Sequence, residues 1–205
     1  MKTIILIAVI IFSISSIKAQ NIKDVNGLEV GTIAPDFSAI DADSNTFKLK
    51  ETLKEGPVVI IFYRGFWCPV CNKHLGSMQD SLKLIEARGA KVIAISPEKP
   101  EYLNEMAKKT GAEFTLLYDE GYKIAKAYDV NFMPDMMNRL TYNVFLGANL
   151  KKTHSDESQR LPIPATYIVN PKGKIIWRQF DTDYHKRSSV RDILNALDKV
   201  NNTKK

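Results

Sequence analysis

The hydrophobic positions of this chain alternate between short apolar runs and segments with helical spacing. Residues 58–63 form a continuous apolar, largely β-branched run, which is typical of a strand buried on both faces. Residues 69–87 carry apolar side chains three and four positions apart and predict an amphipathic helix. Residues 92–95 form a second apolar run. Strand, helix and strand at this spacing predict a βαβ unit with parallel strands and a right-handed crossover.

Outside this unit the pattern predicts further strands and helices around the same sheet. Asn170-Pro171-Lys172-Gly173 has the composition of a hairpin turn between two apolar segments, so antiparallel pairing is expected beside the parallel unit. The prediction is an α/β fold with a central mixed sheet flanked by helices. The other predicted strands are 37–40, 46–49, 113–117, 166–169 and 174–180, and the other predicted helices are 100–109, 120–128 and 190–200.

Residues 131–160 interrupt the alternation. The segment contains Met133, Met136 and Met137 together with several aromatic residues, and it ends in a polar stretch over residues 151–159. One interpretation is an inserted helix packed on the core. The other is a lid or partner-docking surface near the cysteines, because methionine suits adaptable surfaces as well as core gaps.

The first 19 residues have the pattern of an export signal. Lys2 precedes an apolar run that ends near Ile17, and the small residue Ala19 stands at the expected cleavage position. The run is short for a membrane helix of roughly 20 residues, although an uncleaved N-terminal membrane anchor is the alternative. We therefore expect an exported protein, periplasmic or secreted. Its mature chain, residues 20–205, is expected to be a single domain with the insertion at about 131–160.

The charge of the chain indicates a solvated basic surface. The formal net charge is +6, and removal of Lys2 and Lys18 with the signal would leave +4. The lysines are dispersed and do not cluster with aromatic residues, so we expect no nucleic-acid partner. Structural zinc needs about four ligands, whereas only three scattered histidines accompany the two cysteines. We expect no metal and no cofactor, and the sequence does not predict an oligomeric state.

Cys68 and Cys71 are the strongest chemical signal in the sequence. They directly follow the first apolar run and open the predicted helix, with Pro69 at its first position. A disulfide across two residues closes too small a loop to stabilise the fold much. At a helix N-terminus, free N–H groups and the helix dipole favour the thiolate. One sulfur can attack and the other can close a disulfide on it, so the pair is predicted to be redox-active.

Short motifs along the chain point to a known family. They are Ala34-Pro35-Asp36-Phe37, Phe62-Tyr63, the cysteine segment, Ala94-Ile95-Ser96-Pro97-Glu98 and Leu161–Val169, followed by Asp183-Tyr184 and Arg187. Together they resemble the alkyl hydroperoxide reductase/thiol-specific antioxidant (AhpC/TSA) family of peroxiredoxins over nearly the whole mature chain. The resemblance implies a thioredoxin-like fold and reduction of hydroperoxides, with an external, thioredoxin-like thiol reductant restoring the cysteines.

The cysteine segment departs from the pattern of that family. In an ungapped match, Arg64 stands where the family has proline, Cys68 where it has threonine, and Cys71 at the position of the peroxide-attacking cysteine. Pro164 stands where the family has its later arginine. Because those family groups orient and polarise the peroxide, another cation would have to replace them. The candidates are Arg64, Arg160 and Arg178.

The same segment is also similar to the W-C-x-x-C motif of thioredoxins and of the TlpA/ResA exported reductases. This second resemblance implies that Trp67 lies beside the site and that Pro164 is a cis-proline facing the disulfide. It also implies an alternative activity, thiol–disulfide exchange with the disulfides of exported proteins. The two resemblances differ about the attacking sulfur: the thioredoxin pattern favours Cys68 for disulfide exchange, whereas the peroxiredoxin register favours Cys71. The attacking sulfur in peroxide reduction is left open.

The histidines are secondary candidates. His74 lies one turn after Cys71 and is interpreted either as a proton shuttle or, preferably, as a solvated helix residue. His154 and His185 are predicted to lie on the surface.

Overall fold

A seven-stranded mixed sheet forms the centre of the protein in a computed structural model that describes residues 22–202. The strand order is β2-β1-β5-β4-β3-β8-β9, and β6 and β7 form a separate two-stranded ladder. The predicted mixed sheet is thus confirmed. The strands are β1 (Ser38–Asp41), β2 (Thr46–Lys48), β3 (Val58–Phe62), β4 (Lys91–Ser96), β5 (Thr115–Tyr118), β6 (Asn131–Phe132), β7 (Leu161–Pro162), β8 (Ala165–Val169) and β9 (Ile175–Phe180).

Helices flank the sheet largely where the sequence places them. The predicted helix 69–87 divides at Ser81, whose backbone (φ −114°, ψ 9°) leaves the helical region. A 3₁₀ turn, Glu120–Tyr122, replaces the first part of predicted helix 120–128 because Gly121 adopts a positive φ of 66°. The α-helices are α1 (Leu49–Thr52), α2 (Pro69–Asp80), α3 (Leu82–Glu86), α4 (Pro100–Thr110), α5 (Lys123–Ala127), α6 (Met136–Leu140), α7 (Leu150–Thr153) and α8 (Val190–Asn202).

The βαβ unit places the cysteines at one edge of the sheet core. β3 pairs in parallel with β4 and antiparallel with β8. Every residue of β3 is buried, as the unbroken apolar run predicts. The chain leaves β3 at Phe62, crosses residues 63–67 and begins α2 at Pro69. The cysteine pair therefore lies at the N-terminus of α2, a few residues after a buried central strand.

Residues 131–160, the predicted insertion, do not form a single helix. They contain β6, α6, a π-helical turn (Thr141–Phe145) and α7, and β6 pairs with β7 just beyond them. The insertion's buried residue Tyr142 packs on Trp67, with the ring centroids 5.2 Å apart. Met136 and Phe145, in contrast, are 73% and 77% exposed. The insertion thus covers the cysteine segment with one face and presents apolar side chains outward with the other.

The predicted export signal, residues 1–19, lies outside the described residues. Within residues 22–202, no helix is both long enough and apolar enough to cross a membrane.

Candidate active site

The two cysteines form a disulfide at the start of α2. Their Cα atoms are 5.2 Å apart. Cys68 is the N-cap of α2 in extended conformation, Pro69 is the first helical residue, and the Cys71 N–H donates to Cys68 Sγ at 3.2 Å. An N-cap acceptor satisfies one of the free N–H groups of the first helical turn. The structure therefore confirms the predicted placement of both sulfurs at a helix N-terminus.

Arg64 supplies a positive charge to one sulfur. Its Nη2 lies 3.1 Å from Cys68 Sγ, and the side chain is 2% exposed. Three aromatic rings surround the guanidinium carbon, with centroids at 3.9 Å for Tyr184, 5.2 Å for Tyr142 and 5.3 Å for Trp67. Such rings attract a cation through their negative faces. Burial lowers the pKa of Arg64, while Tyr142 and Tyr184 act in the opposite direction.

Arg187 supplies a second positive charge, to the other sulfur. Its Nη2 lies 3.5 Å from Cys71 Sγ, and its Nε donates to the Tyr184 carbonyl at 2.7 Å. Burial, and secondarily the nearby charge of Arg64, lowers the pKa of Arg187 to about 9, which leaves it charged at neutral pH. This role of Arg187 was not predicted from the sequence. Arg187 appeared there only within a family motif, because a separation of 116 residues from Cys71 hides the contact.

Neither arginine forms an ion pair with a carboxylate of residues 22–202. The disulfide between them carries no charge, so a buried cation (Arg64) and a partly buried one (Arg187) face neutral sulfur. Reduction creates thiols, and a thiolate beside a guanidinium is favoured over a thiol because opposite charges stabilise the ionised form. The arrangement therefore favours ionised, nucleophilic sulfur in the reduced protein.

The other two arginine candidates lie elsewhere. Arg178 pairs with Glu29 at 2.7 Å and donates to two backbone carbonyls of residues 26 and 28. Arg160 lies at the end of the predicted insertion, where its backbone N–H donates to Ser158 Oγ. Neither side chain hydrogen-bonds to the disulfide among the described residues, so Arg64 is the one of the three candidates whose side chain contacts a cysteine sulfur.

Pro164 does not have the predicted cis bond. Every peptide bond within the described part of the chain is trans. Ile163, just before it, donates its N–H to the Val130 carbonyl at 2.6 Å, and Pro162 pairs with Asn131. This short ladder guides the chain into β8 in extended form. Only the resemblance to thioredoxins, and nothing in the local sequence, favoured a cis bond at this uncommon place.

A buried carboxyl group lies beneath the loop that carries Cys68. Glu98 is fully buried, and its Oε2 accepts the Phe66 N–H at 2.8 Å. Burial raises the pKa of Glu98 well above its usual range, so the neutral acid is favoured. A β-carbon on Gly65 would come within 2.5 Å of Glu98 Oε1 and even closer to Trp67 Nε1. The loop can therefore follow this path only with glycine at position 65, a requirement that no motif in the sequence indicates.

His74 is buried and neutral, contrary to the preferred prediction of a solvated residue. It is 7% exposed, and its Nε2 lies 3.1 Å from the Ser188 carbonyl oxygen. Because a carbonyl only accepts, Nε2 carries the proton. Burial, followed by the charge of Arg187, lowers the pKa of His74 to about 4. His154 is also buried, contrary to prediction, and burial lowers its pKa to about 3. His185 is exposed, as predicted.

Both sulfurs are shielded from solvent. Cys68 and Cys71 are each 0% exposed, and Trp67 is 5% exposed beneath Tyr142. Trp67 therefore packs beside the site. Any molecule that reacts with the disulfide must first displace part of this cover, and Tyr142 and Tyr184 are the residues that close it over Arg64.

Comparison with known proteins gives a family match over most of the chain. Residues 30–178 match the family described as the AhpC/TSA family. The chain is 30% identical over 168 residues to peroxiredoxin Q, chloroplastic, of Triticum aestivum, covering 80% of this chain and 66% of that protein. It is 32% identical over 106 residues to peroxiredoxin Bcp of Escherichia coli K12, covering 52% of this chain and 67% of that protein. The chain spans about half to two thirds of the length of the curated relatives it matches.

The fold also matches that of solved peroxiredoxin structures. Peroxidoxin BcpB from Mycobacterium tuberculosis superposes with a TM-score of 0.65 at 19% identity, covering 84% of this chain and 98% of that one. At this identity the likeness concerns the fold, and it confirms the thioredoxin-like architecture.

Proposed function

Because this chain belongs to the AhpC/TSA family, which it matches over residues 30–178, we propose that it is a thiol-dependent peroxidase. Its substrates are hydroperoxides, and its working unit is the Cys68/Cys71 dithiol–disulfide pair. The observation that carries the proposal is the contact of one guanidinium with each sulfur, Arg64 with Cys68 and Arg187 with Cys71. These cations take the place of the family's proline, threonine and arginine.

Cys68 is the proposed attacking residue. Its sulfur receives two donors, the Cys71 N–H and the Arg64 Nη2, at 3.2 and 3.1 Å, whereas Cys71 Sγ receives only the longer contact from Arg187 among the described residues. More hydrogen bonds to the ionised form stabilise it more strongly. Cys68 is therefore the better thiolate, although the register of the family favours Cys71.

The proposed reaction has two steps before an external reductant restores the two thiols. The Cys68 thiolate attacks one peroxide oxygen, the O–O bond breaks, and the leaving alkoxide takes up a proton to become an alcohol. Sulfur is thereby oxidised to sulfenic acid and the peroxide is reduced. Cys71 then attacks Cys68 Sγ, the S–O bond breaks, and water leaves as the disulfide forms. An external dithiol, thioredoxin-like in chemistry, restores the two thiols by exchange and becomes a disulfide itself.

The supporting residues act through the shape and charge of this site. Pro69 fixes the first turn of α2, and Trp67 packs under Tyr142 beside Arg64. Pro164 is buried directly before β8, the strand that pairs with β3. Pro69, Trp67 and Pro164 are therefore proposed to position the reacting groups.

Stopped-flow oxidation of the reduced protein by hydrogen peroxide tests the proposal. Trp67 lies beside the pair and should report disulfide closure by fluorescence, and a Trp177→Phe background removes the second tryptophan. Lowering the pKa of a thiol from about 8.5 to about 7 raises its thiolate fraction at pH 7 roughly 15-fold, so a rate at least that far above free cysteine is expected. A rate equal to that of free cysteine would overturn the peroxidase assignment.

Single-cysteine variants identify the attacking sulfur. If Cys68 attacks, Cys71→Ser still consumes one equivalent of peroxide and retains a sulfenic acid that dimedone traps, while Cys68→Ser does neither. The reverse pattern would assign the attack to Cys71.

Thiol–disulfide exchange with other proteins is the second candidate. The Cys68-Pro69-Val70-Cys71 pair at a helix N-terminus supports it, because this is the geometry that disulfide exchange uses. Fast reduction or oxidation of a protein disulfide substrate, together with a peroxide rate no better than that of free cysteine, would favour this candidate over the peroxidase.

Export and domain organisation are likewise proposed. The pattern of residues 1–19 supports cleavage after Ala19 and an exported mature domain of residues 20–205. N-terminal sequencing of protein recovered from the periplasm or the medium tests both points, and an intact Met1 on cytoplasmic protein would overturn them.

A further inference from the structure

A cleft of about 550 Å³ lies beside the disulfide, between α2 and the segment that leads into α8. Its inner side contains Arg187, which also contacts Cys71 Sγ. The mechanism proposed above uses Arg187 but not this cleft. The cleft thus borders the redox pair through a single shared side chain.

The charges around the cleft have one sign. Lys73 and Arg187 line it together with two histidines, and His74 is held neutral by burial. None of the described side chains that line it is a carboxylate. Two acids adjoin the lining residues and are already hydrogen-bonded: Asp192 accepts from the Ser189 hydroxyl at 2.6 Å, and Asp183 accepts the His185 N–H at 3.0 Å. Apolar surface is also present in the cleft, from Val70, Met78 and Val190.

Arg187 has free donor capacity in this state. Its Nε and Nη2 are engaged by the Tyr184 carbonyl and Cys71 Sγ, but its Nη1 makes no hydrogen bond within residues 22–202. The disulfide gives it no negative partner, and the neighbouring Arg64 repels it. Arg187 is partly buried, and a partly desolvated cation without a counter-charge is less favourable than a paired one, so an anion placed in the cleft would relieve this imbalance.

We propose that the cleft binds a small organic carboxylate, seated on Arg187 and Lys73 with its apolar chain against Val70, Met78 and Val190, and that it binds the disulfide form more tightly than the reduced form. The preference for the disulfide form follows from the charge that the two sulfurs carry in each redox state. After reduction the Cys68/Cys71 pair carries a thiolate close to Arg187, whose Nη2 lies 3.5 Å from Cys71 Sγ. Arg187 then has less to gain from the ligand, and the negative sulfur repels the carboxylate. The proposal needs only the dithiol–disulfide pair and is independent of whether the protein reduces peroxides.

Calorimetric titration with hexanoate tests the site, with 1-hexanol as the neutral ligand of equal chain length. Hexanoate should bind the disulfide form saturably, and hexanol about 10- to 100-fold more weakly, because charge-assisted hydrogen bonds are lost. Arg187→Gln should weaken hexanoate binding by a similar factor. Lys73→Gln on the exposed rim should weaken it without disturbing the fold, and Lys83→Gln on α3, outside the cleft, should not change it.

The redox preference has its own measurement. Protein reduced with dithiothreitol, which carries no carboxylate, should bind hexanoate roughly 5- to 100-fold more weakly than the disulfide form. By linkage, hexanoate should shift the equilibrium with dithiothreitol toward the protein disulfide by the same factor. Absence of saturable binding, equal binding of hexanol, or equal affinity in both redox states would each overturn the proposal, whatever the peroxidase assay shows.

Discussion

Arg64 Nη2 lies 3.1 Å from Cys68 Sγ, and both residues are almost completely buried. This contact joins the start of the loop after β3 to the first residue of the redox pair. A guanidinium cannot lose its charge under ordinary conditions, so the sulfur faces a fixed cation whenever it is reduced. The acidity and reactivity of Cys68 should therefore depend on this single side chain.

Removing that cation should slow the chemistry. Arg64→Gln is expected to raise the pKa of the Cys68 thiol and to lower the peroxide rate at pH 7 about 10- to 100-fold, since hydrogen bonds from charged donors to an ionised group are lost. The pH dependence of iodoacetamide alkylation measures the thiol pKa. Arg178→Gln is the matched control, because Arg178 pairs with Glu29 away from the disulfide. Equal alkylation profiles for Arg64→Gln and the wild type would contradict the prediction.

Glu98 should be needed as a neutral hydrogen-bond acceptor and not as a charge. Glu98→Gln keeps an acceptor for the Phe66 N–H and should retain the fold and activity. Glu98→Ala leaves that N–H without its partner and opens a cavity, with an expected loss of about 2–4 kcal/mol. Guanidinium unfolding of the two variants measures the difference, and equal losses in both would refute this role.

The same residue predicts a pH dependence. The pKa of Glu98 in the folded protein is raised well above 4.5, so its neutral form stabilises the fold below about pH 4.5 and this contribution is lost as the pH rises toward the folded-state pKa. The free energy of unfolding of the wild type should therefore decline relative to Glu98→Gln as the pH increases above 4.5. Parallel curves for the two proteins would count against a buried neutral acid.

Gly65 and Gly76 should respond in opposite ways to alanine. A β-carbon at position 65 would collide with Trp67 and Glu98, whereas at position 76 it meets no atom within 4 Å. Gly65→Ala should destabilise the protein by about 1–3 kcal/mol and reduce the peroxide rate. Gly76→Ala, inside α2, should stabilise it by about 0.5–1 kcal/mol. Thermal and chemical unfolding compare the pair, and a neutral Gly65→Ala would contradict the packed loop.

The buried histidines predict loss of stability in acid. The pKa of His74 is lowered from 6.5 to about 4, so burying it neutral costs nothing above pH 6.5 but up to roughly 3 kcal/mol below pH 4. His154 adds a loss of the same sign down to about pH 3. Asp119, whose pKa burial raises to about 6, partly offsets this between pH 6 and 3.8. Imidazole NMR titration checks the values, and a pKa of 6 or above for His74 would refute its buried neutral state.

Tyr142 should control access to the disulfide. Because it covers Trp67 and Arg64, Tyr142→Ala should expose the sulfurs and accelerate reduction by dithiothreitol several-fold. Phe145→Ala changes an exposed ring of the same insertion and should leave the rate unchanged. The release of free thiol measured over time separates the two variants. An unaltered rate in Tyr142→Ala would show that the cover opens elsewhere.

Much of the architecture was determined by local sequence. The apolar run at residues 58–63 predicted a strand buried on both faces, because its successive side chains, which point to opposite faces, are all largely apolar. Pro69 after Cys68 fixed the helix start because proline needs no N–H partner at that position. Asn170–Gly173 predicted a hairpin because asparagine, proline and glycine favour tight turns. These signals concern neighbours in the chain, so a single sequence suffices to read them.

Tertiary structure decided which distant groups meet the sulfurs. Arg187 reaches Cys71 across 116 residues, and Glu98 reaches Phe66 across 32, through the arrangement of strands and loops around β3. Burial of His74 and His154, and the trans bond at Pro164, likewise follow from long-range packing that no local pattern encodes. The sequence by itself determined that two cysteines open a helix after a central strand. Only the packed structure decided the charge each one faces, because electrostatic environment depends on distances in space and not along the chain.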